Sequence, residues 1–234
     1  MKLAIMQPYL FPYIGYYQLI NSVEKFVVYD DVNFIKQGWI NRNNVLVNGK
    51  PSLFTVPLEN QSSFTKINET LISDKFYPIW KKKFLRTIEQ NYNKAPFFKE
   101  VFPMIKSTFD IETNSLSILA LNSLKMVAVY IGITTVFEDT SVVYKNQNLT
   151  SQKRVIDICK KENAEVYINP IGGLDLYSKA DFLENNITLT FIKSDKIIYK
   201  QFNAEFVPYL SIIDVLMFND KNTIRGFLTN YELI

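Results

Sequence analysis

The side chains available for chemistry in this chain are carboxylates, amides, hydroxyls and cations, because the sequence contains no histidine and one cysteine. Without histidine there is no imidazole to act as a general base, activate a nucleophile or bind a metal. A single cysteine excludes an intrachain disulfide and a thiolate metal cluster. We therefore predict no metal site. Cys159 lies on the apolar side of a predicted helix, which favours a small buried hydrophobe; a nucleophile activated by Lys160 and Lys161 is the alternative.

Two adjacent carboxylates, Asp30 and Asp31, follow a predicted strand and are the candidate general bases. On a continuing strand, neighbouring side chains point to opposite faces, so we expect one to face a ligand and the other to hydrogen-bond the loop. An Asx turn with no catalytic role is the alternative. Gln7 ends the first predicted strand and is a candidate hydrogen-bond donor.

The loop after the second predicted strand combines cations, amides and an indole ring. Lys36 and Arg42 carry charges suited to phosphate. Asn33 and Asn41 supply amides for sugar hydroxyls, and Trp39 supplies a flat apolar face. The alternative is a buried Trp39, with Lys36 and Arg42 solvated on a surface loop.

A glycine pair, Gly172 and Gly173, follows a later predicted strand and precedes Tyr177. Paired glycines let the backbone approach a ligand, and their amides can bind an anion. An ordinary turn is the alternative. The spacing matches neither a phosphate-binding loop nor a dinucleotide-binding fingerprint.

These candidates lie where predicted strands end. Apolar and β-branched segments predict strands at residues 3–6, 26–29, 134–137, 165–168 and 189–192. Predicted helices at 15–20, 151–162 and 180–185 alternate with them. This pattern is typical of an α/β fold with a mostly parallel or mixed sheet flanked by helices. Ligands in such folds bind at the carboxyl ends of strands, where Gln7–Tyr13 and Asp30–Arg42 are expected to lie.

Helical spacing predicts a helical lobe inserted at residues 74–132. Its predicted helices cover 77–88, 96–109 and 116–131. Asp74 is the predicted N-cap of the first helix, and the second is expected to be kinked or broken at Pro103. We treat residues 1–234 as a single domain in which this lobe is a sub-lobe. A hairpin is predicted at Asn48-Gly49, between extended segments 39–47 and 53–58, and two helices are predicted at 211–218 and 221–228.

Residues 3–23 carry no charge, yet their composition does not match a signal peptide or membrane span. Pro8, Pro12 and Gly15 interrupt the apolar run, and no small-residue cleavage site follows. We expect a cytoplasmic protein with no membrane span. The net charge of +3 gives no broad basic surface for nucleic acid. The oligomeric state is left open.

Two long segments, residues 4–16 and 29–43, resemble the WbqC-like protein family. Segments 167–177, 199–202 and 210–219 agree with the same family. The resemblance implies a bacterial protein associated with O-antigen and other surface-polysaccharide pathways, beside enzymes that make nucleotide-linked amino sugars. Many relatives carry histidine where this chain has Tyr9.

The resemblance leads to the hypothesis of a transferase that attaches an acyl or aminoacyl group to the amine of a nucleotide-linked amino sugar. The donor would be a phosphopantetheine-linked thioester on an acyl carrier protein, with no permanently bound cofactor. Asp31 or Asp30 would remove a proton from the amine. The candidate donors to the developing oxyanion are Gln7, Asn41 and the amides of Gly172 and Gly173.

In the same hypothesis Lys36 and Arg42 hold diphosphate, while Tyr9, Tyr13 and Trp39 pack against the sugar or base. The complete set of predicted substrate-binding residues is Tyr9, Tyr13, Asn33, Lys36, Trp39, Asn41, Arg42, Gly172, Gly173, Tyr177 and Gln201.

Two other functions stay open. The strand, loop, helix and strand at the start of the chain are similar in layout to nucleotidyltransferases, although Ile14-Gly15-Tyr16 lacks the imidazoles expected there. A non-catalytic protein that binds sugar nucleotides within the same pathway is the other alternative.

Overall fold

A computed structural model describes residues 1–202 and 205–234. Its strands are β1 (Lys2–Met6), β2 (Lys25–Val28), β3 (Arg42–Val47), β4 (Lys50–Thr55), β5 (Val136–Glu138), β6 (Val166–Pro170), β7 (Thr188–Ser194) and β8 (Tyr231–Leu233). Six of them form one sheet in the order β5-β2-β1-β6-β7-β8, with β8 antiparallel and the other pairs parallel. The predicted α/β fold with a mixed sheet flanked by helices is confirmed.

The helices are α1 (Ile14–Asn21), α2 (Tyr77–Tyr92), α3 (Phe98–Phe109), α4 (Leu116–Ile131), α5 (Ser151–Lys161), α6 (Lys179–Leu183), α7 (Ile212–Phe218) and α8 (Lys221–Phe227). No helix within residues 1–202 and 205–234 is long and apolar enough to cross a membrane.

Two expectations about the helical lobe need correction. Asp74 is not the N-cap of α2, because the chain makes a further turn and the cap position falls to Phe76. Helix α3 is not broken at Pro103 and continues through it. The carbonyl that loses its partner belongs to Lys99 on the exposed side of the helix, where water can replace the missing N–H.

Strand β1 occupies the middle of the sheet and is buried on both faces. Ala4 faces the larger apolar core, which includes α1 and the helices of the lobe, whereas Leu3 and Ile5 face a second core under α5 and α6. Burial on both sides is typical of parallel strands covered by crossover helices. Helices α2, α3 and α4 share the larger core with the sheet, and the backbone N–H of Phe97 donates to the carbonyl of Met217 in α7 at 3.1 Å.

The order of connections creates a switch point at β1. From β1 the chain passes through α1 to β2 on one side, and β5 extends the sheet in that direction. After α5 the chain returns to the other side of β1 and adds β6 and β7. In open α/β sheets such a reversal leaves a crevice at the carboxyl ends of the two strands that flank it, here β1 and β6.

The separate hairpin β3–β4 turns at Asn48 and Gly49, both with positive φ, as the Asn-Gly pair predicts. The first strand begins at Arg42 rather than at Trp39, and the second begins at Lys50.

Candidate functional site

A cleft of about 370 Å³ opens at the carboxyl ends of β1 and β6, and we call it the switch-point cleft. Its polar lining residues are Gln7, Tyr29, Asn169, Gly172, Gly173 and Tyr177. Four of the predicted site residues therefore come together: Gln7 from the end of β1, and Gly172, Gly173 and Tyr177 from the segment after β6. The remaining lining residues are apolar, so the lining carries no charged side chain.

Local structure brings these groups to the cleft edge. The hydroxyl of Tyr16 in α1 donates to the carbonyl of Gln7 at 2.6 Å, which ties the end of β1 to the crossover helix. Beyond β6 the chain enters a 3-10 turn, Ile171–Leu176, that contains both glycines. At Gly172 an added Cβ would meet no atom within 4 Å, so its backbone faces open space.

A second cavity, of about 390 Å³, lies beside the loop that follows β1, and we call it the tyrosine groove. Its lining residues are Tyr9, Pro12, Tyr13, Trp39, Asn43 and Tyr209. The predicted residues Tyr9, Tyr13 and Trp39 therefore lie together, but in a different cavity from Gln7. Trp39 is 46% exposed, so the alternative of a buried indole is wrong.

The loop at residues 8–13 is held in a strained backbone conformation. Phe11 has φ 43°, the left-handed region that a bulky residue rarely adopts. Three side chains secure it: Ser123 accepts from its N–H at 3.1 Å, while Asn43 and Ser211 donate to its carbonyl at 2.8 and 2.7 Å. The strain is tolerated because these bonds and the burial of the Phe11 ring determine the conformation.

A third cavity, of about 470 Å³, adjoins the tyrosine groove and shares Tyr13 and Tyr209 with it. We call it the β7 cleft because Ser194, at the end of β7, lines it. It also contains Lys196 and Tyr199.

The two candidate bases do not line any of these cavities. Asp30 is buried and accepts hydrogen bonds from the hydroxyls of Ser117 and Thr140 and from the N–H of Ser141, at 3.1, 2.8 and 3.1 Å. Burial raises its pKa, against these hydrogen bonds. Its geometry ties β2 to α4 and to the segment after β5.

Asp31 is buried in an ion pair with Arg154 of α5. Nη2 of Arg154 lies 2.6 and 2.5 Å from the two carboxylate oxygens, and Ser141 and Gln147 also donate to them. Burial acts to raise the pKa of Asp31, but the bonds from Ser141 and Arg154 outweigh it and leave the pKa lowered. A carboxylate so occupied is a weak proton acceptor, and the expected role of Asp31 as a base is not supported by this geometry.

Arg154 links this buried pair to the switch-point cleft. Its guanidinium carbon lies 4.9 Å from the ring centre of Tyr29, which lines the cleft. Arg154 carries no local signal of this role, because it lies 123 positions from Asp31 on a helix whose pattern indicates only an apolar face.

Three predicted binding residues have structural partners. Gln201 donates to Asp214 at 2.8 Å and exchanges two hydrogen bonds with the backbone of Val207, so its amide is occupied inside the protein. Asn41 is buried and donates to the carbonyl of Val56 at 2.9 Å. Arg42 donates from Nε to the carbonyl of Gly38 at 2.9 Å and from Nη2 to that of Gln37.

The guanidinium carbon of Arg42 also lies 5.7 Å from the ring centre of Trp39, so Arg42 supports the indole from one side. Asn33 and Lys36 are exposed on the same loop, and Asn33 pairs with Lys66 in a β-bridge. Lys36 makes no hydrogen bond or ion pair within residues 1–202 and 205–234, whereas Nε and Nη2 of Arg42 are held by backbone carbonyls. The predicted phosphate contacts of both residues stay predictions.

Cys159 is fully buried in α5, and burial raises its pKa to about 12, as expected for a small core hydrophobe. Within the part of the chain that the structure describes, no group of three or more histidine, cysteine, aspartate or glutamate residues is arranged to hold a metal ion.

Fold and cavities thus define an α/β protein with a largely apolar, uncharged cleft at its switch point and an aromatic groove lined by the segment that follows β1. A family model described as the WbqC-like protein family matches residues 7–226, and the chain belongs to this family. The chain is 30% identical over 218 residues to the uncharacterized protein Rv1507c of Mycobacterium tuberculosis (strain ATCC 25618 / H37Rv), with 92% of each chain covered. No solved structure matches it.

Proposed function

We propose that this protein is a transferase of bacterial surface-polysaccharide biosynthesis, which attaches an acyl or aminoacyl group from a carrier thioester to the amine of a nucleotide-linked amino sugar. The observation that carries the proposal is that residues two positions apart in one segment, Gln7 and Tyr9, line two different cavities. Gln7 lines the switch-point cleft and Tyr9 lines the tyrosine groove. Tyr16 connects them, since its hydroxyl donates to Gln7 and its ring centre lies 5.5 Å from that of Tyr9.

Two cavities lined by one segment suit a reaction that joins two substrates in one complex. The amine of the acceptor is itself the nucleophile, so this chemistry needs no activated side chain. That agrees with a sequence without histidine and with a cysteine that is buried and protonated. The enzyme has to orient the amine against the thioester and to stabilise the oxyanion that forms, for which Gln7 and the amides of Gly172 and Gly173 are our candidates.

The tyrosine groove suits the flat part of the acceptor. Tyr9, Tyr13 and Trp39 offer aromatic faces to a base or sugar, and Arg42 fixes the plane of the indole. Lys36, on the same loop, is the candidate contact for diphosphate.

The test is to incubate the purified protein with pairs of nucleotide-linked amino sugars and acyl or aminoacyl carrier thioesters, and to detect the amide product by mass spectrometry. We expect product only when both substrates are present. Intact-mass analysis with the donor alone should show no acyl group on the protein, because transfer is direct. A folded protein that binds a sugar nucleotide but transfers nothing across a broad donor panel would instead favour a binding protein without catalysis.

The acceptor site is tested separately with Trp39→Ala. Loss of one stacking face should weaken binding of the nucleotide-linked amino sugar by about tenfold. Phe64→Ala is the matched control, because Phe64 is also an exposed aromatic residue, at 91%, but lines none of the three cavities. Equal affinity in the two variants would contradict the assignment of the groove to the acceptor.

A further inference from the structure

Asn169 is a buried amide at the end of β6 that faces the switch-point cleft, and it is 6% exposed. The hydroxyl of Tyr167, which is fully buried, donates to its Oδ1 at 3.3 Å. In this arrangement Oδ1 faces the Tyr167 hydroxyl, and Nδ2 is the amide atom left to donate into the cleft. Nδ2 donates to no acceptor within residues 1–202 and 205–234, and it is not sealed in the core. A donor that has no protein partner and opens onto the cleft is available to a hydrogen-bond acceptor bound there.

Gly173 leaves room for this donor. An added Cβ at Gly173 would lie 1.8 Å from Nδ2 of Asn169, so any larger residue would displace the amide. Gly173 has no positive φ that would require glycine. Its lack of a side chain is therefore explained by the approach of Asn169, and the 3-10 turn is shaped around that amide.

The charge of the cleft indicates which kind of ligand fits. The groups lining it are amides, tyrosines, glycines and apolar side chains, and the charges of Asp31 and Arg154 pair with each other outside it. An uncharged lining with directed N–H donors suits a neutral carbonyl compound better than a diphosphate, which needs cations. Lys196, by contrast, lines the β7 cleft, which shares the lining residues Tyr13 and Tyr209 with the tyrosine groove.

We infer that the switch-point cleft binds the uncharged thioester end of the acyl donor, and that Nδ2 of Asn169 donates to the thioester carbonyl oxygen. This inference rests on the proposed function. As the amine nitrogen attacks the carbonyl carbon, the C–N bond forms, and the hydrogen bond from Asn169 stabilises the negative charge on the oxygen. The C–S bond then breaks, and the proton lost by nitrogen goes to the leaving sulfur, giving an amide and a free thiol. Tyr167 and Gly173 act as positioning residues.

The direct test is infrared difference spectroscopy of S-acetylpantetheine, with and without a ¹³C-labelled carbonyl, bound to the full-length protein. A hydrogen bond to the carbonyl lowers its stretching frequency. We expect a lowered band in the wild type and a return toward the solution value in Asn169→Asp, which keeps the shape and the oxygen bonded to Tyr167 but lacks the donor. Asn222→Asp, on the exposed first turn of α8, is the control for the added charge.

Tyr167→Phe keeps Asn169 but removes the bond that orients it. We expect a broader, less shifted carbonyl band and a lower kcat with little change in KM, whereas loss of the donor in Asn169→Asp should lower kcat on the order of 100-fold. If Asn169→Asp does not fold, the Tyr167→Phe spectrum decides.

The outcomes separate the two proposals. If the wild type binds S-acetylpantetheine but its carbonyl band is the same in wild type and variants, the role of Asn169 is refuted and the proposed function stands. If the wild type does not bind the thioester, the assignment of the cleft and the proposed function both fail.

Discussion

Two buried aspartates, Asp31 and Asp214, lie under different cavities of this protein and are stabilised in opposite ways. Asp31 is paired with the guanidinium of Arg154. Asp214 in α7 is fully buried and accepts from three neutral donors, the hydroxyls of Tyr92 and Tyr199 and the amide of Gln201, at 2.8, 2.7 and 2.8 Å. The pKa of Asp31 is lowered, while burial raises the pKa of Asp214 above its ordinary value despite the three bonds.

The two aspartates hold different parts of the protein in place. The ion pair with Asp31 holds the guanidinium of Arg154 against the ring of Tyr29. Tyr29 lines the switch-point cleft, whereas Arg154 does not. The Asp214 cluster joins helices and the hairpin: Tyr92 in α2 donates to Asp214 and accepts from the N–H of Leu46 in β3 at 2.7 Å. Tyr199, which also donates to Asp214, lines the β7 cleft.

The largest effect is expected from Arg154→Met. It leaves Asp31 as a buried charge without a cation, which costs about 3–5 kcal/mol of unfolding free energy. Urea unfolding at neutral pH measures the loss. The double variant Arg154→Met with Asp31→Asn should recover a substantial part of it, because the unpaired charge is gone. A loss below about 1 kcal/mol for the single variant would show that the pair is not buried in solution.

Asp214→Asn should cost less, about 2 kcal/mol. The amide retains one oxygen acceptor for the tyrosine hydroxyls and leaves no charge unpaired, but the bonds to a charged acceptor are lost. Urea unfolding measures the loss under the same conditions. A cost equal to that of Arg154→Met would mean that loss of the bonds from neutral donors at Asp214 is as costly as an unpaired charge at Asp31.

The pH dependence of the two substitutions should have opposite signs. The stability contributed by Asp31 is present above the unfolded pKa of about 4 and is lost as pH falls through its lowered folded pKa, so the cost of Asp31→Asn should shrink below about pH 4. Because the pKa of Asp214 is raised, the folded wild type holds the proton of this carboxyl more tightly than the unfolded chain does. The stability of the wild type therefore falls as pH rises above about 4. The loss of unfolding free energy caused by Asp214→Asn should therefore shrink as pH rises.

Each unit of pKa shift corresponds to about 1.4 kcal/mol across these windows. Urea unfolding of the wild type and both variants at pH 3 to 7 measures the curves. If stability depends on pH in the same way in the two variants, the pKa values of Asp31 and Asp214 are not shifted in opposite directions.

The fold was predictable where local pattern determines structure. β-Branched and aromatic residues mark β2, the Asn48-Gly49 turn marks the hairpin, and helical spacing predicts α4 at the residues where it is found. Strand β8 was missed, because three residues that pair antiparallel with β7 carry no period of their own. Helix α2 begins where helical spacing predicts, but its N-cap is Phe76 rather than Asp74, because a turn separates Asp74 from the helix.

The sequence predicts where the candidate site residues lie better than it predicts what each of them does. Strand ends indicate where Gln7 and the glycine pair lie, since sheet topology brings carboxyl ends together. The partners of Asp31 and Gln201 were not predictable, because Arg154 and Asp214 come from helices distant in sequence and nothing in a local window marks the pairing. Asn169 was passed over for the same reason: its importance depends on Tyr167 and on the space at Gly173.

Tyr199→Phe tests the neutral cluster at a single donor. The ring keeps its packing against Phe206, with centres 5.1 Å apart, and only the hydroxyl is removed. We expect a cost of about 1 kcal/mol in urea unfolding. Because a bond that favours the charged carboxylate is lost, the pKa of Asp214 should rise further. The pH range over which stability falls should then reach higher pH in the variant than in the wild type. An unchanged pH curve would mean that Tyr199 does not bond to Asp214 in solution.

Gln147→Ala makes the corresponding change at Asp31 and should have the smallest effect, about 0.5 kcal/mol. Gln147 donates to Oδ2 of Asp31 at 2.9 Å, but it lies at the surface, so water can take its place. Arg154 and Ser141 still bond to the carboxylate, which keeps its pKa low. Urea unfolding of Gln147→Ala beside Tyr199→Phe compares one donor from each cluster. A larger loss in Gln147→Ala than in Tyr199→Phe would mean that an exposed amide contributes more at Asp31 than a half-buried hydroxyl does at Asp214.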